Sequence, residues 1–187
     1  MSKYRLAQIN FARIRAPLSE PGMAGFLRQL HSINALAEAA QGFIWRLDET
    51  SAGAAGDRAF PRHPPGTTLV NLSVWKSVGA LRRFVNFGRN EAFEKRRHTW
   101  FSRFDGAWVV LWWVPDGYFP EVEEGMRRLE HLRRHKDTPY AFSFHAPYAP
   151  PVGEQDHQPL SDEEVQARIT AARDKSGQIG ANWQVDW

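Results

Sequence analysis

The sequence predicts an α+β fold: a ferredoxin-like four-stranded antiparallel sheet with helices on one face. Three observations predict it. Apolar residues alternate with a period of two in four short segments. Helical segments lie between the first and second of these and between the third and fourth, giving β-α-β twice. The chain has 187 residues, enough for one domain with a real core and too few for two of full size.

Tyr4 to Phe11 alternates and is bounded by Arg13 to Pro17, so it reads as the first strand. Ser19-Glu20-Pro21 opens the first helix, with Ser as cap and Pro in the first turn. Its apolar stripe is Met23, Phe26, Leu27, Leu30, Ile33 and Ala37, and Gln41-Gly42 ends it at a position suited to a left-handed cap. Phe43 to Leu47 is the second strand. Residues 48–67 are rich in Gly, Pro, Ala and charge without periodicity, which predicts a long loop or a flap over a site. Thr68 to Trp75 is the third strand. Residues 77–86 and 89–104 read as helical with a break at Gly88, the second piece placing Phe93, Arg97, Trp100, Phe101 and Phe104 on one face.

Trp108 to Val114 is the fourth strand, stopped by Pro115-Asp116-Gly117. Pro120 opens a helix with Glu121, Glu123 and Glu124 in its first turn and Arg133, Arg134, His135 and Lys136 in its last, matching the helix dipole. Ala141 to Phe144 is expected as a short final strand. Pro147, Pro150 and Pro151 mark a linker, dividing the chain into a domain over 1–145 and an acidic tail over 146–187. In that tail Ser161 to Glu164 is a capping box for a short helix ending near Lys175.

Composition sets chemical limits. The chain has eight Trp and no Cys. The missing Cys excludes disulfides, Cys-ligated zinc or iron–sulfur sites, thiolate haem ligation and a cysteine nucleophile. The N-terminus lacks the apolar stretch of a signal peptide. The longest apolar run, Ala107 to Val114, is far short of the ~20 residues that span a bilayer. A soluble cytoplasmic protein without membrane contact is the expectation.

The net charge of +3 conceals an asymmetry. Residues 145–187 hold Glu154, Asp156, Asp162, Glu163, Glu164, Asp174 and Asp186 against Arg168, Arg173 and Lys175, a net of −4 that leaves +7 on residues 1–144. A basic body alone is a weak nucleic-acid signal, and the basic residues sit in helices beside Glu with no glycine-aromatic RNA-binding signature. A nucleic-acid partner is not expected.

Each strand splits into two face sets. In the third strand Val70, Leu72 and Val74 suit packing under helices, and Asn71, Ser73 and Trp75 oppose them. In the first, Ala7, Ile9 and Phe11 oppose Leu6, Gln8 and Asn10; in the second, Phe43, Trp45 and Leu47 oppose Ile44, Arg46 and Asp48. In the fourth, Trp108, Val110, Trp112 and Val114 oppose Val109, Leu111 and Trp113. The second sheet face therefore mixes amides, a hydroxyl, Arg46 and large aromatics. Two readings fit: an apolar pocket with a few convergent polar groups, or a dimer interface whose amides a partner chain satisfies.

Five segments carry a resemblance: Ala7-Gln8-Ile9-Asn10, Gly42-Phe43-Ile44-Trp45-Arg46-Leu47, Asn71-Leu72-Ser73-Val74-Trp75-Lys76-Ser77, Trp100-Phe101 and Leu111-Trp112-Trp113-Val114-Pro115-Asp116-Gly117. In this order they resemble the bacterial family called domain of unknown function 3291, over about residues 4–144. That family is related to the dimeric α/β barrel proteins, among them antibiotic-biosynthesis monooxygenases and haem-degrading enzymes. The resemblance implies a homodimer of two ferredoxin-like subunits joined through their sheet faces, with a cavity inside each subunit's half. It supplies no reaction. Many members carry His where this chain has Asn90 and Tyr118, and both departures count against a His-dependent reaction here.

The superfamily's cofactor-independent oxygenases act on electron-rich phenols or quinols that react once deprotonated. Such chemistry needs stacking surfaces, a donor near the developing anion and a dry site. The catalytic candidates are Asn71, Trp75, Arg97 and His98; the substrate-binding candidates are Gln8, Asn10, Arg46, Ser73, Trp100, Phe101 and Trp112. Against each Trp stands the plainer role of core-builder, and against Arg97 a helix-face ion pair. His98 lies one step off the aromatic stripe of its helix, so its ring is expected at the helix flank or in solvent.

His131 and His135, although spaced i, i+4, sit among arginines that repel a metal. No metal and no cofactor is expected, haem being the alternative. Gly53 to Gly56 lacks the strand–helix context of a phosphate cradle. The sequence thus points to a protein that binds a small aromatic or apolar molecule, with cofactor-independent, monooxygenase-like chemistry of secondary metabolism in first place. An isomerase or cyclase using the same cavity, and a non-catalytic binding or dimerisation protein, are the alternatives.

Overall fold

Strand β1 (Tyr4–Arg13) is an interior strand of the sheet. Leu6, Ala7, Ile9 and Phe11 on it are all fully buried, which an alternating strand shows only when both its faces are covered. It pairs antiparallel with β3 (Thr68–Trp75) on one side and β4 (Val109–Pro115) on the other, and β2 (Phe43–Arg46) extends the sheet beyond β3. The order β2-β3-β1-β4 is that of a ferredoxin-like α+β fold. The computed structural model describes residues 3–87, 91–103 and 107–151. The expected break at Gly88, Asn90, Phe104 and the tail helix starting at Ser161 lie outside these.

Helix α1 (Ala24–Ala39), entered through a 3-10 turn at Pro21–Met23, connects β1 to β2. Helices α3 (Val78–Phe87) and α4 (Glu91–Trp100) connect β3 to β4. Ala37 of α1 with Ala80 and Leu81 of α3 packs on Leu6, Trp75, Leu111 and Phe142. Phe26 of α1 and Trp100 of α4 pack with Ile14 and Met23. The connecting helices therefore share the Leu6–Trp75 face. The expected cap at Ser19 is absent, since Ser19 is exposed and no side chain caps either the turn or α1. The cap at Gly42 is present: its φ is 93°, and a Cβ there would come within 2.7 Å of Ala80 Cβ.

The other face carries Ile9, Phe11, Val70, Leu72, Val74, Val110 and Trp112, and it is not bare. It is covered by α2 (Glu49–Ala59) and α5 (Val122–His135). Helix α2 corrects the reading of residues 48–67 as a loop. Asp48 caps it by accepting from Ser51 N at 2.9 Å, and hydrogen bonds from the Ser51 side chain and backbone hold the Asp48 carboxyl below its ordinary 3.8. Ala52, Ala55 and Gly56 recur at helical spacing and turn one small face to the sheet. Small residues made the segment look like loop; here they allow close approach, because a Cβ on Gly56 would collide with the Thr68 carbonyl oxygen. Likewise Gly125 of α5 sits where a Cβ would lie 2.7 Å from Ile9 Cδ1. The expected strand at Ala141 to Phe144 is only a bridge, Phe142 exchanging both backbone hydrogen bonds with Leu111.

Two substitutions within α2 have opposite expected signs. Gly53 has open space around its Cα, so Gly53→Ala raises stability by about 0.5–1 kcal/mol through helix propensity. Gly56→Ala lowers it by about 1–3 kcal/mol through overpacking against β3. Urea unfolding of both variants reads the contrast, and equal signs would show that α2 is not seated on the strand.

Beyond α2, His63 stacks on Phe60 with ring centroids 5.1 Å apart and places Nδ1 2.8 Å from Thr68 Oγ1. Burial and the nearby Arg13 charge hold its pKa below the ordinary 6.5. The unfolded chain takes up this proton first as pH falls. Stability is therefore lost from about pH 6.5 downward through the depressed native value. His63→Gln should flatten that decline, measured as urea midpoints at about pH 7 and pH 5.

Candidate functional site

Strand register decides which side chains meet. On the face under α1 and α3, three cross-strand rows run in sequence along the sheet. Phe43, Trp75, Leu6 and Trp113 form the first, Arg46, Ser73, Gln8 and Leu111 the second, and Asn71, Asn10 and Val109 the third. The first row is sealed by the Leu6–Trp75–Leu81 cluster. Beyond the third row lies the Ile14–Phe26–Trp100 cluster, to which Leu69 and Phe101 add. Helix α1 contributes Ala37 to one cluster and Phe26 to the other, so it passes over the polar rows between them. The result is a polar gap between two apolar seals, on one sheet face and under one helix.

The gap is graded. Trp75, Ser73 and Gln8 are buried, Asn10 is half-buried and Asn71 is exposed, so burial increases along the strip from Asn71 towards Trp75. Trp75 is clamped between Phe84, stacked at 5.1 Å, and Phe43, edge-on at 5.3 Å, and its indole Nε1 donates to Ser73 Oγ at 2.9 Å. Gln8 Nε2 donates to the Asn71 backbone oxygen at 2.9 Å, and Asn10 Nδ2 to Gln8 Oε1 at 3.2 Å. Among the described residues the Asn71 carboxamide makes no hydrogen bond, so it stands available at the wet end. Arg46 borders the gap on the β2 side and is ion-paired to Glu38 of α1 at 2.7 Å.

Gln8, Asn10, Arg46, Asn71, Ser73 and Trp75 are thus brought together. Trp100 and Phe101 belong to the seal beyond the third row. Arg97 is half-buried on the last turn of α4. His98 is exposed on α4, its carbonyl accepting from Arg15 Nε at 2.9 Å, and it lies outside the three rows. Trp112 is not part of it either: it pairs with Ala7, whose other neighbour is Val74, and all three point to the opposite face. A one-residue offset along β4 is enough to separate it, and strand alternation alone left the two assignments open. Sequence reasoning missed Glu38, Phe43 and Phe84 as partners of the site. For Phe43 the alternation misled: it grouped Phe43 with Trp45 and Leu47 against Arg46, whereas a register shift between Phe43 and Trp45 puts Phe43 on the face of Arg46, Ser73 and Trp75.

Among the described residues no group of three or more His, Asp or Glu is placed to hold a metal, and no helix is long and apolar enough to cross a membrane. Among the described residues no His stands in the three rows to ligate a haem. His31 is bonded to Glu49, His63 to Thr68 and His131 to Thr138; His135 stacks on His131, and His98 and His145 are exposed.

This is an α+β fold of ferredoxin-like topology with an amide-lined gap on its helix-connecting face. The family described as Domain of unknown function (DUF3291) matches residues 5–158, and the chain belongs to it. Three solved structures are similar in fold. One is the NE2512 protein of unknown function from Nitrosomonas europaea, at 15% identity over 64% of this chain and 95% of that one, TM-score 0.39. Another is SnoaB, a cofactor-independent oxygenase from Streptomyces nogalater, at 15% identity over 64% and 100%, TM-score 0.37. The third is PA3566 from Pseudomonas aeruginosa, at 19% identity over 63% and 98%, TM-score 0.37. No curated protein matches the chain.

The Ser73–Trp75 contact gives a direct test of the deep end. Ser73→Ala strands a buried indole N–H and should lower stability by about 1–3 kcal/mol. Adding Trp75→Phe removes the stranded group, so a double-mutant cycle in urea should show coupling between the two sites.

Proposed function

We propose that the gap binds one small planar phenol or quinol, and that the chain is a monooxygenase-like enzyme needing no cofactor, acting in secondary metabolism as a homodimer. One observation carries this reading: a strip of amides and a hydroxyl lies between two apolar clusters on one sheet face, with the free Asn71 carboxamide at its wet end. A flat apolar ring would lie along the strip. Its oxygen would meet the Asn71 and Asn10 amides, which stabilise an oxyanion better than the neutral phenol. The proton leaves to solvent at the open end. The anion then reduces dioxygen; one oxygen atom enters the ring as a carbonyl, the other leaves as water, and the phenol becomes a quinone.

A second reading is favoured by the absence of a base. Among the described residues of the three rows the one ionisable side chain is Arg46, already paired with Glu38. A non-catalytic protein that carries the same ligand would need nothing more.

Oxygen uptake with 1,5-dihydroxynaphthalene separates them. The enzyme reading expects one dioxygen consumed per hydroxynaphthoquinone formed. It also expects kcat/KM to fall about 10–100-fold in Asn71→Ala, the worth of a hydrogen bond to a charged oxygen. Binding without uptake supports the carrier, turnover without oxygen supports an isomerase or cyclase, and no binding at all removes both readings.

A further inference from the structure

Helix α1 turns one stripe towards the sheet: Phe26, Leu30, Ile33 and Ala37, spaced four, three and four residues apart. Phe26 and Leu30 pack in the Ile14–Trp100 cluster, and Ala37 packs in the Leu6–Trp75 cluster. Ile33 lies between them on the stripe and is half-buried, yet among the described residues it joins none of the apolar clusters. The third row of the gap ends in Val109, which is likewise half-buried and likewise outside those clusters.

An isoleucine on the inward stripe of a helix ordinarily joins the core, because apolar area left in water forfeits stabilisation. Here the strands opposite it offer Gln8, Asn10, Asn71 and Ser73 instead of apolar partners. The helix also keeps its distance. It lies closest to the edge strand β2 and stands off the interior strands β1 and β3, whereas α2 on the other face lies close along β3. Solvent reaches Asn10 and Asn71, so the strip is not sealed beneath α1. These observations describe a slot with an aliphatic side chain above, carboxamides below and Val109 on the β4 side. Two such surfaces match the faces of a flat ring better than a puckered one.

We infer that Ile33 is the roof of the proposed substrate gap, contacting the face of the bound ring and by its bulk restricting the site to flat phenols. This role rests on the reading of the gap as a phenol site and adds a specificity-determining residue to it.

Two variants of the full chain test the roof. Ile33→Phe extends into the slot, so its urea midpoint should be no lower than the parent's, because the larger side chain fills space instead of overpacking a core. By isothermal titration calorimetry it should also bind 1,5-dihydroxynaphthalene at least tenfold more weakly, on the order of one blocked contact surface. Ile33→Ala keeps the helix and lifts the roof. The parent should bind 1-naphthol about tenfold more tightly than 5,6,7,8-tetrahydro-1-naphthol, whose reduced ring is puckered, and Ile33→Ala should bring the two within about threefold. A lower urea midpoint in Ile33→Phe would mean that Ile33 is already packed, and it overturns the roof. A naphthol preference that survives in Ile33→Ala does the same. So does equal affinity of the parent and Ile33→Phe for 1,5-dihydroxynaphthalene, which leaves the phenol reading standing. A parent that binds no 1,5-dihydroxynaphthalene removes the phenol reading, and the roof with it.

Discussion

The structure depends on the register that β1 holds with its two neighbours. Side chains alternate strictly along a strand, so one register sorts every residue of β1, β3 and β4 to one face or the other. A slip of one residue would send Gln8, Ser73 and Asn71 under α2 and α5 and bring Ile9 beneath α1. Two close approaches oppose that slip. Gly125 seats α5 on Ile9, and Gly56 seats α2 on the Thr68 backbone, and neither position has room for a methyl group. Burial on both sides then makes the register costly to change, since each misplaced core side chain forfeits roughly 1.5–3 kcal/mol.

Given that register, the two faces separate into different chemistries. The Ile9 face is apolar along the sheet and takes its polar groups from α5, where Glu124 and Arg128 satisfy much of each other's need. The Leu6 face carries amides within the sheet itself, and its apolar contacts fall into two clusters rather than one. The strip between them is tolerable because its members bond along it: Asn10 to Gln8, Gln8 to the Asn71 backbone, Trp75 to Ser73. Trp75 serves as the closed end wall, clamped by two Phe rings with its N–H already spent, while Asn71 retains hydrogen-bonding capacity.

Much of this was legible residue by residue. Period-two alternation located the four strands, and the turn residues Gly42 and Pro115-Asp116-Gly117 located two of their ends; Gly117 has a φ of 83°. The amide set of β1 and β3 was visible as the odd member of an otherwise apolar pattern. Helix α2 was not legible, because Ala and Gly chosen for close packing have the same composition as a flexible loop. The Arg128–Glu124 pair was visible only as an i, i+4 charge pair, ordinarily a solvated one, and nothing local signalled its burial.

By itself the sequence determined which side chains oppose one another within the first, third and fourth strands, and that no thiol takes part in any chemistry here; in the second, a register shift between Phe43 and Trp45 sends the two to opposite faces, against the expected alternation. Only the tertiary structure decided which of those sets share a face. Trp112 joined Ala7 and Val74, while Gln8 and Asn10 joined Asn71, Ser73 and Trp75. It also decided that α2 and α5 cover one face while α1 bridges the polar gap on the other. The reason is physical: alternation is set within a strand by backbone geometry, whereas register is set between strands by the packing of residues distant in the chain.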